Sequence, residues 1–177
     1  IYIVRDPRNV ISSMCHHYSF NLNQAYEAMV NKNASLSEKL VNGDCSNFTF
    51  LGSWADHYKS WKETKKFRVL LVKYEDLKNN KEEIFREIIH FINNLKQEKN
   101  NINELKFFNA VKSTNFVNLK NKEKNEKFDE SVYSKKGKKI NFFNLGFKNK
   151  WQKSLPEDMI SKINSSLKKE LLELNYI

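Results

Sequence analysis

The residues best equipped for chemistry stand at the start of the chain, in IYIVRDPRNVISSMCHHYSF. Arg5 carries a planar fork of N–H donors that suits a phosphate better than an apolar ligand. Ser13 follows eight residues later with a hydroxyl. Asp6, Asn9 and Ser13 are spaced so that a helix puts them on one face, from which Ser13 can look back toward Arg5. Together the two could grip one anionic group. Read plainly, the same pair is a surface charge and a solvated helical hydroxyl.

Tyr74, in the run Tyr74-Glu75-Asp76, could stack on a base or hydrogen-bond it, or it could simply fill the core. Lys135-Lys136-Gly137-Lys138-Lys139 reads either as a solvated loop or as lysines closing over phosphates. His16 and His17 are adjacent on a helix and point apart, so at most one faces any cleft; His57 follows Trp54 by three and reads as packing. No Walker A loop, dinucleotide glycine fingerprint or zinc spacing is present, so no metal site is expected. No Ser/His/Asp triad can be argued from sequence, and the catalytic residues stay unassigned.

The elements that must position these groups follow from patterning. Ile1–Val4 is a short apolar run that reads as a buried strand. Asp6 is a good N-cap and Pro7 suits the first helical turn, where its missing N–H is no loss. The result is strand, abrupt turn and helix, with Arg5 at the carboxyl end of the strand, where open α/β sheets bind ligands and helix N-termini favour anions. Arg68–Tyr74, RVLLVKY, reads as a second, central parallel strand, which puts Tyr74 on the same carboxyl edge as Arg5.

The remaining segments read mostly as helix. Asn21–Val41 is expected to be one or two helices, and Phe50–Lys66 an amphipathic helix through Leu51, Trp54, Tyr58 and Trp61. Asp76 or Asn79 would cap a helix with a stripe of Ile84, Phe85, Ile88, Ile89, Phe91 and Ile92. Short helices are expected over 100–120, a charged loop over 120–139 and an irregular aromatic stretch over 141–151. A last helix would open at Ser154, capped by that serine. Two strands each followed by a helix imply an α/β fold with a parallel sheet. Two strands alone do not make a stable sheet, so further strands are expected.

At 177 residues the chain is most simply one domain, 1–177. It begins inside a strand, so an upstream part is expected. No apolar stretch is long enough to span a bilayer. The formal charge of +10 invites a polyanion reading, but lysine and asparagine are abundant throughout and arginine is scarce, so nucleic acid is not favoured. Cys15 and Cys45 follow no metal-ligand spacing, which points to a reduced, cytoplasmic protein. Three glycosylation patterns, at Asn33, Asn47 and Asn164, read as chance matches in an asparagine-rich chain.

Taken together, these segments resemble the cytosolic-type sulfotransferase family, which uses 3′-phosphoadenosine 5′-phosphosulfate (PAPS). IYIVRDPRNVISSMCHH is similar to the family's 3′-phosphate motif, and LGSWADHYKSWKE to the helix that follows it. VLLVKYEDLKNNKEEIFREIIHFI resembles its strand–Tyr-Glu-Asp–helix segment, and STNFVNLK the segment around the adenosine. The resemblance implies a P-loop-NTPase-like central parallel sheet flanked by helices, incomplete at the N-terminus. It implies 3′-phosphate contacts from Arg5 and Ser13, an adenine contact from Tyr74, and adenosine contacts from Thr114 and Phe116.

The closing motif, Arg-Lys-Gly-x-x-Gly-x-Trp-Lys in the family, has two partial counterparts. Lys135, Lys136 and Gly137 keep the basic pair but stand far from Trp151. Gly146 has the spacing to Trp151, with Asn144 and Leu145 in the basic positions. The first is the expected closing element, with Lys148 as a spare cation. The resemblance further implies sulfuryl transfer from PAPS to a hydroxyl or amine on a small-molecule or glycan acceptor, with adenosine 3′,5′-bisphosphate as product. The family's 5′-phosphosulfate loop and general-base histidine precede the 3′-phosphate strand, so this chain alone is not expected to catalyse. The rival reading is a non-catalytic basic helical module for a polyanion such as RNA or a sulfated glycan.

Overall fold

The computed structural model describes residues 1–39, 45–98, 101–126, 128, 132–134 and 137–177. In chain order, β1 (Tyr2–Val4) leads into α1 (Pro7–Tyr18) and α2 (Leu22–Val30), then to strands β2 (Ser35–Lys39) and β3 (Cys45–Phe50). Helix α3 (Trp54–Lys62) precedes β4 (Leu71–Lys73), which runs directly into α4 (Tyr74–Asn79) and α5 (Lys81–Lys96). Next come α6 (Glu104–Ser113), α7 (Phe116–Asn125), β5 (Val132–Tyr133), β6 (Lys139–Ile140) and a 3-10 turn at Gly146–Lys148. The chain closes with α8 (Trp151–Ser154), α9 (Glu157–Ser166) and α10 (Lys168–Glu173). Among the described residues no helix is long and apolar enough to cross a membrane.

The chain divides into two compact units, Ile1–Arg5 with Leu70–Asn149, and Asp6–Val69 with Lys150–Ile177. The first holds the expected parallel pair: β1 lies beside β4 in the register Tyr2↔Leu71, Ile3↔Val72 and Val4↔Lys73. Val4 and Val72 are buried there. The α/β architecture with parallel strands is therefore the observed one. The isoleucine and phenylalanine stripe expected in α5 is helical, but its residues are only partly covered.

The second unit is built around an apolar cluster that includes Ile11 of α1, Ala25 and Met29 of α2, and Met159 and Ile163 of α9. Ile11, Ile163 and Leu171 are completely buried, and each such side chain contributes about 1.5–3 kcal/mol of transfer free energy. Asp6 caps α1 as expected, accepting the Arg8 N–H at 2.9 Å, with Pro7 in the first turn. The Asp6 carboxylate also takes Nε and Nη2 of Arg8, whose guanidinium donates to the Tyr176 carbonyl at 2.8 Å and lies 4.0 Å over the Trp151 ring. Both charges are buried, so each needs this full set of partners.

Several boundaries differ from the sequence reading. Helix persists only to Val30 in the 21–41 segment; beyond it β2 pairs antiparallel with β3, where Phe48, Thr49 and Phe50 alternate with the period of a strand. Helix α3 accordingly starts at Trp54, capped by Ser53, which accepts the Asp56 N–H. The second strand shrinks to Leu71–Lys73 because Tyr74, Glu75 and Asp76 open a helix, and acidic groups in a first turn favour that. Neither Asp76 nor Asn79 is a cap; Lys73 and Asn80 stand at those positions without side-chain cap bonds. Helix α7 continues to Asn125, into the expected loop. The last helical stretch starts at Glu157 with Pro156 at its N-cap; Ser154 instead ends α8, and Leu167 separates α9 from α10.

Candidate functional site

The parallel register sets the geometry. Because Val4 pairs with Lys73, the next residues along the two strands are Arg5 and Tyr74, both at the carboxyl edge. The guanidinium carbon of Arg5 lies 4.4 Å over the Tyr74 ring centroid. Arg5 Nη2 donates to the Gly146 carbonyl at 3.2 Å. Its Nε is buried and meets no acceptor among the described residues. A buried N–H without an acceptor costs on the order of 1–3 kcal/mol, so such a group favours an anionic partner. The Tyr74 phenol is pushed above its ordinary value by burial, against the opposing pull of Arg5, and so stays neutral and protonated through the physiological range.

Phe147 packs beside Tyr74 with ring centroids 4.9 Å apart. Gly146 sits at φ +54, and a Cβ there would come within 2.5 Å of the Phe116 ring. Phe116, the first residue of α7, also meets Phe143 edge-on at 6.0 Å. The 142–147 segment is thus held against α7 on one side and supplies a carbonyl to Arg5 and a ring to Tyr74.

Of the sequence-derived residues, the structure brings together Arg5 and Tyr74 and joins Phe116 to them through Gly146. Thr114 lies at the end of α6, exposed, its hydroxyl donating to the Ala110 carbonyl at 2.7 Å. Ser13 belongs to the other compact unit, exposed on α1, and its hydroxyl turns back to the Asn9 carbonyl at 3.4 Å. Lys135 and Lys136 lie outside the described residues. Gly137 is exposed near the β5–β6 connection at φ +73, with open space around its α-carbon. His57 contacts Trp61 and His17 contacts Tyr18, ring to ring.

Sequence reasoning passed over Gly146 as a site residue, together with Phe147 and Glu123. The available signal was Gly146 itself: one of only four glycines, at the right distance before Trp151. With the uncharged Asn144 and Leu145 in the basic positions, it ranks second to Lys135, Lys136 and Gly137.

The rat protein named Sulfotransferase 1E1 is 34% identical over 122 residues, covering 68% of this chain and 37% of its own length. Mouse Sulfotransferase 1 family member D1 is 28% identical over 93 residues, covering 52% of this chain and 29% of its own. A crystal structure of mouse sulfotransferase SULT7A1 complexed with PAP has a TM-score of 0.64 and 21% identity, covering 96% of this chain and 56% of that one. The matched region therefore spans from 29% to 56% of these proteins, and the structural likeness extends the α/β agreement to the sulfotransferase fold. The family model described as Sulfotransferase domain matches residues 1–175, nearly end to end. A parallel strand pair carrying Arg5 and Tyr74 at one edge, the sulfotransferase fold around it and a family match across almost every residue lead to one conclusion: the chain belongs to the sulfotransferase family.

Proposed function

We propose that this chain carries the 3′-phosphate and adenosine contacts of a sulfotransferase that transfers a sulfuryl group from PAPS to a hydroxyl or amine acceptor, in a cytoplasmic setting. The single observation behind the site is Arg5: a guanidinium seated on an aromatic face, one donor on the Gly146 carbonyl and a buried Nε without an acceptor among the described residues. A delocalised cation held this way offers its planar edge to a phosphate at small entropic cost. When bound, PAPS supplies the sulfuryl group and its 3′-phosphate. Arg5 would take the 3′-phosphate, and Tyr74 and Phe116 would border the adenosine. Ser13 and Thr114 enter this reading from the family resemblance alone, as do Lys135, Lys136 and Gly137 as the closing element. The segment next to Arg5 is 142–147, so main-chain and aromatic groups border the site there, with Lys148 the nearest basic residue in sequence.

The test is calorimetric titration with adenosine 3′,5′-bisphosphate beside adenosine 5′-monophosphate, with circular dichroism to confirm folding. Binding that weakens at least tenfold without the 3′-phosphate, and that Arg5→Ala abolishes, is expected. Equal affinity for both nucleotides in a folded chain would overturn the site. Steeply salt-dependent binding of a polyanion without that preference would replace it with a polyanion module.

A further inference from the structure

Helix α7 carries Phe116, Lys120 and Glu123 at intervals of four and three, which places them along one helix face. All three grip the same short segment. Glu123, only 2% exposed, accepts the main-chain N–H groups of Phe142 and, at 2.9 Å, Phe143. Lys120 Nζ donates to the Asn144 carbonyl at 2.9 Å. The Phe116 ring stands where a side chain on Gly146 would project. From there the Gly146 carbonyl receives Arg5 Nη2.

A buried carboxylate is tolerated only where donors meet its charge. Here two consecutive peptide N–H groups do so, which fixes the direction of the chain just before Gly146. Glu123 is the only acidic residue of α7, among Lys120, Lys122 and Lys124. A glutamine in its place could accept through one oxygen only and would turn an NH₂ group toward the second N–H.

We propose that Glu123 is a positioning residue for the Arg5 site. Acting through the 142–146 segment, its carboxylate holds the Gly146 carbonyl against the guanidinium and so sets the edge that Arg5 offers to a phosphate. The ligand in this statement rests on the nucleotide reading above; the mechanical link from Glu123 to Arg5 does not.

The experiment compares the ¹⁵N-labelled 177-residue chain with Glu123→Gln and Glu123→Ala, following main-chain amides and the Arg5 Nε–H by NMR. The same three proteins are titrated with adenosine 3′,5′-bisphosphate and adenosine 5′-monophosphate. In both variants the Phe142 and Phe143 amides are expected to move, and with them the Gly146 amide and the Arg5 Nε–H. Bisphosphate affinity should fall about tenfold in Glu123→Ala and less in Glu123→Gln, with monophosphate affinity unchanged. Should Glu123→Ala fail to fold, the Gln variant, which keeps one acceptor, carries the test. Shifts confined to Phe142 and Phe143, with Gly146 and Arg5 unmoved, would overturn the proposal and leave Glu123 a local staple. If the unaltered chain binds neither nucleotide, the nucleotide reading falls, while the Arg5 signal still decides the role of Glu123.

Discussion

Arg5 lies 4.4 Å over the ring of Tyr74, although the two are separated by almost seventy residues of sequence. The parallel register explains it: Val4 opposite Lys73 makes them the next residue on each strand. A slip of one residue would turn the ring to the opposite face of the sheet. Where β4 gives way to α4, Tyr74 is held by both elements.

The ring, rather than its hydroxyl, is expected to matter to Arg5. Tyr74→Phe keeps the aromatic face and should bind adenosine 3′,5′-bisphosphate within about twofold of the unaltered chain, whereas Tyr74→Ala should lose about five- to tenfold. Isothermal calorimetry distinguishes the two. Equal losses in both variants would transfer the role to the hydroxyl.

Arg8 should behave as a structural arginine. Its guanidinium is buried against Asp6, Trp151 and the Tyr176 carbonyl. Removing it leaves the Asp6 charge uncompensated, and Arg8→Met is expected to cost about 3–5 kcal/mol in urea unfolding. Arg8→Lys should recover little, because an ammonium cannot reproduce the two-pronged contact. Arg5→Ala, by contrast, should change stability by less than about 1 kcal/mol.

Gly146 cannot take a side chain cheaply. Its φ of +54 disfavours any L residue, and the added carbon would strike the Phe116 ring. Gly146→Ala is expected to cost about 1–2 kcal/mol and to weaken the preference for a 3′-phosphate. Thermal unfolding and the paired nucleotide titrations measure both effects. A variant that keeps full stability would show that Phe116 can move aside.

Alkali should destabilise the first unit through Tyr2. Burial pushes this phenol from 10.0 up to about 12. Below pH 10 the folded and unfolded chains both hold the proton, so the effect is absent. Between about pH 10 and 12 the unfolded chain releases it while the folded chain keeps it, so stability falls as pH rises. Urea unfolding from pH 9 to 12 should show this slope, and Tyr2→Phe should flatten it. An unchanged slope in Tyr2→Phe would assign the alkaline loss to other groups.

The opening strand, the Asp6 cap and Pro7 were legible because each depends on neighbours within a few residues: apolar β-branched side chains, a carboxylate beside its own helix N-terminus, a ring with no N–H to lose. The apolar face of α5 was legible for the same reason, since helical spacing is a local property. The β2–β3 hairpin was missed. Its strands are polar: Ser35–Lys39 lies inside the 21–41 segment that reads as helix, and Phe50 reads as the start of the next helix. The boundary at Tyr74 was missed because a strand can become a helix between two adjacent residues once tertiary packing holds both.

Sequence alone determined the family resemblance, the parallel strand–helix plan and the candidacy of Arg5 and Tyr74. It said nothing of what holds Arg8, three residues after Arg5 in the same motif. Only the tertiary structure decided how each arginine is held, closing Arg8 into a buried ion pair and seating Arg5 on an aromatic ring with a buried Nε that finds no acceptor among the described residues. Nor could it connect Glu123 to Phe142, or Gly146 to Arg5, a contact that spans 141 residues of chain. The physical reason is that residue type and spacing encode what a segment prefers locally. The partners that satisfy a buried charge are chosen by the folded chain as a whole.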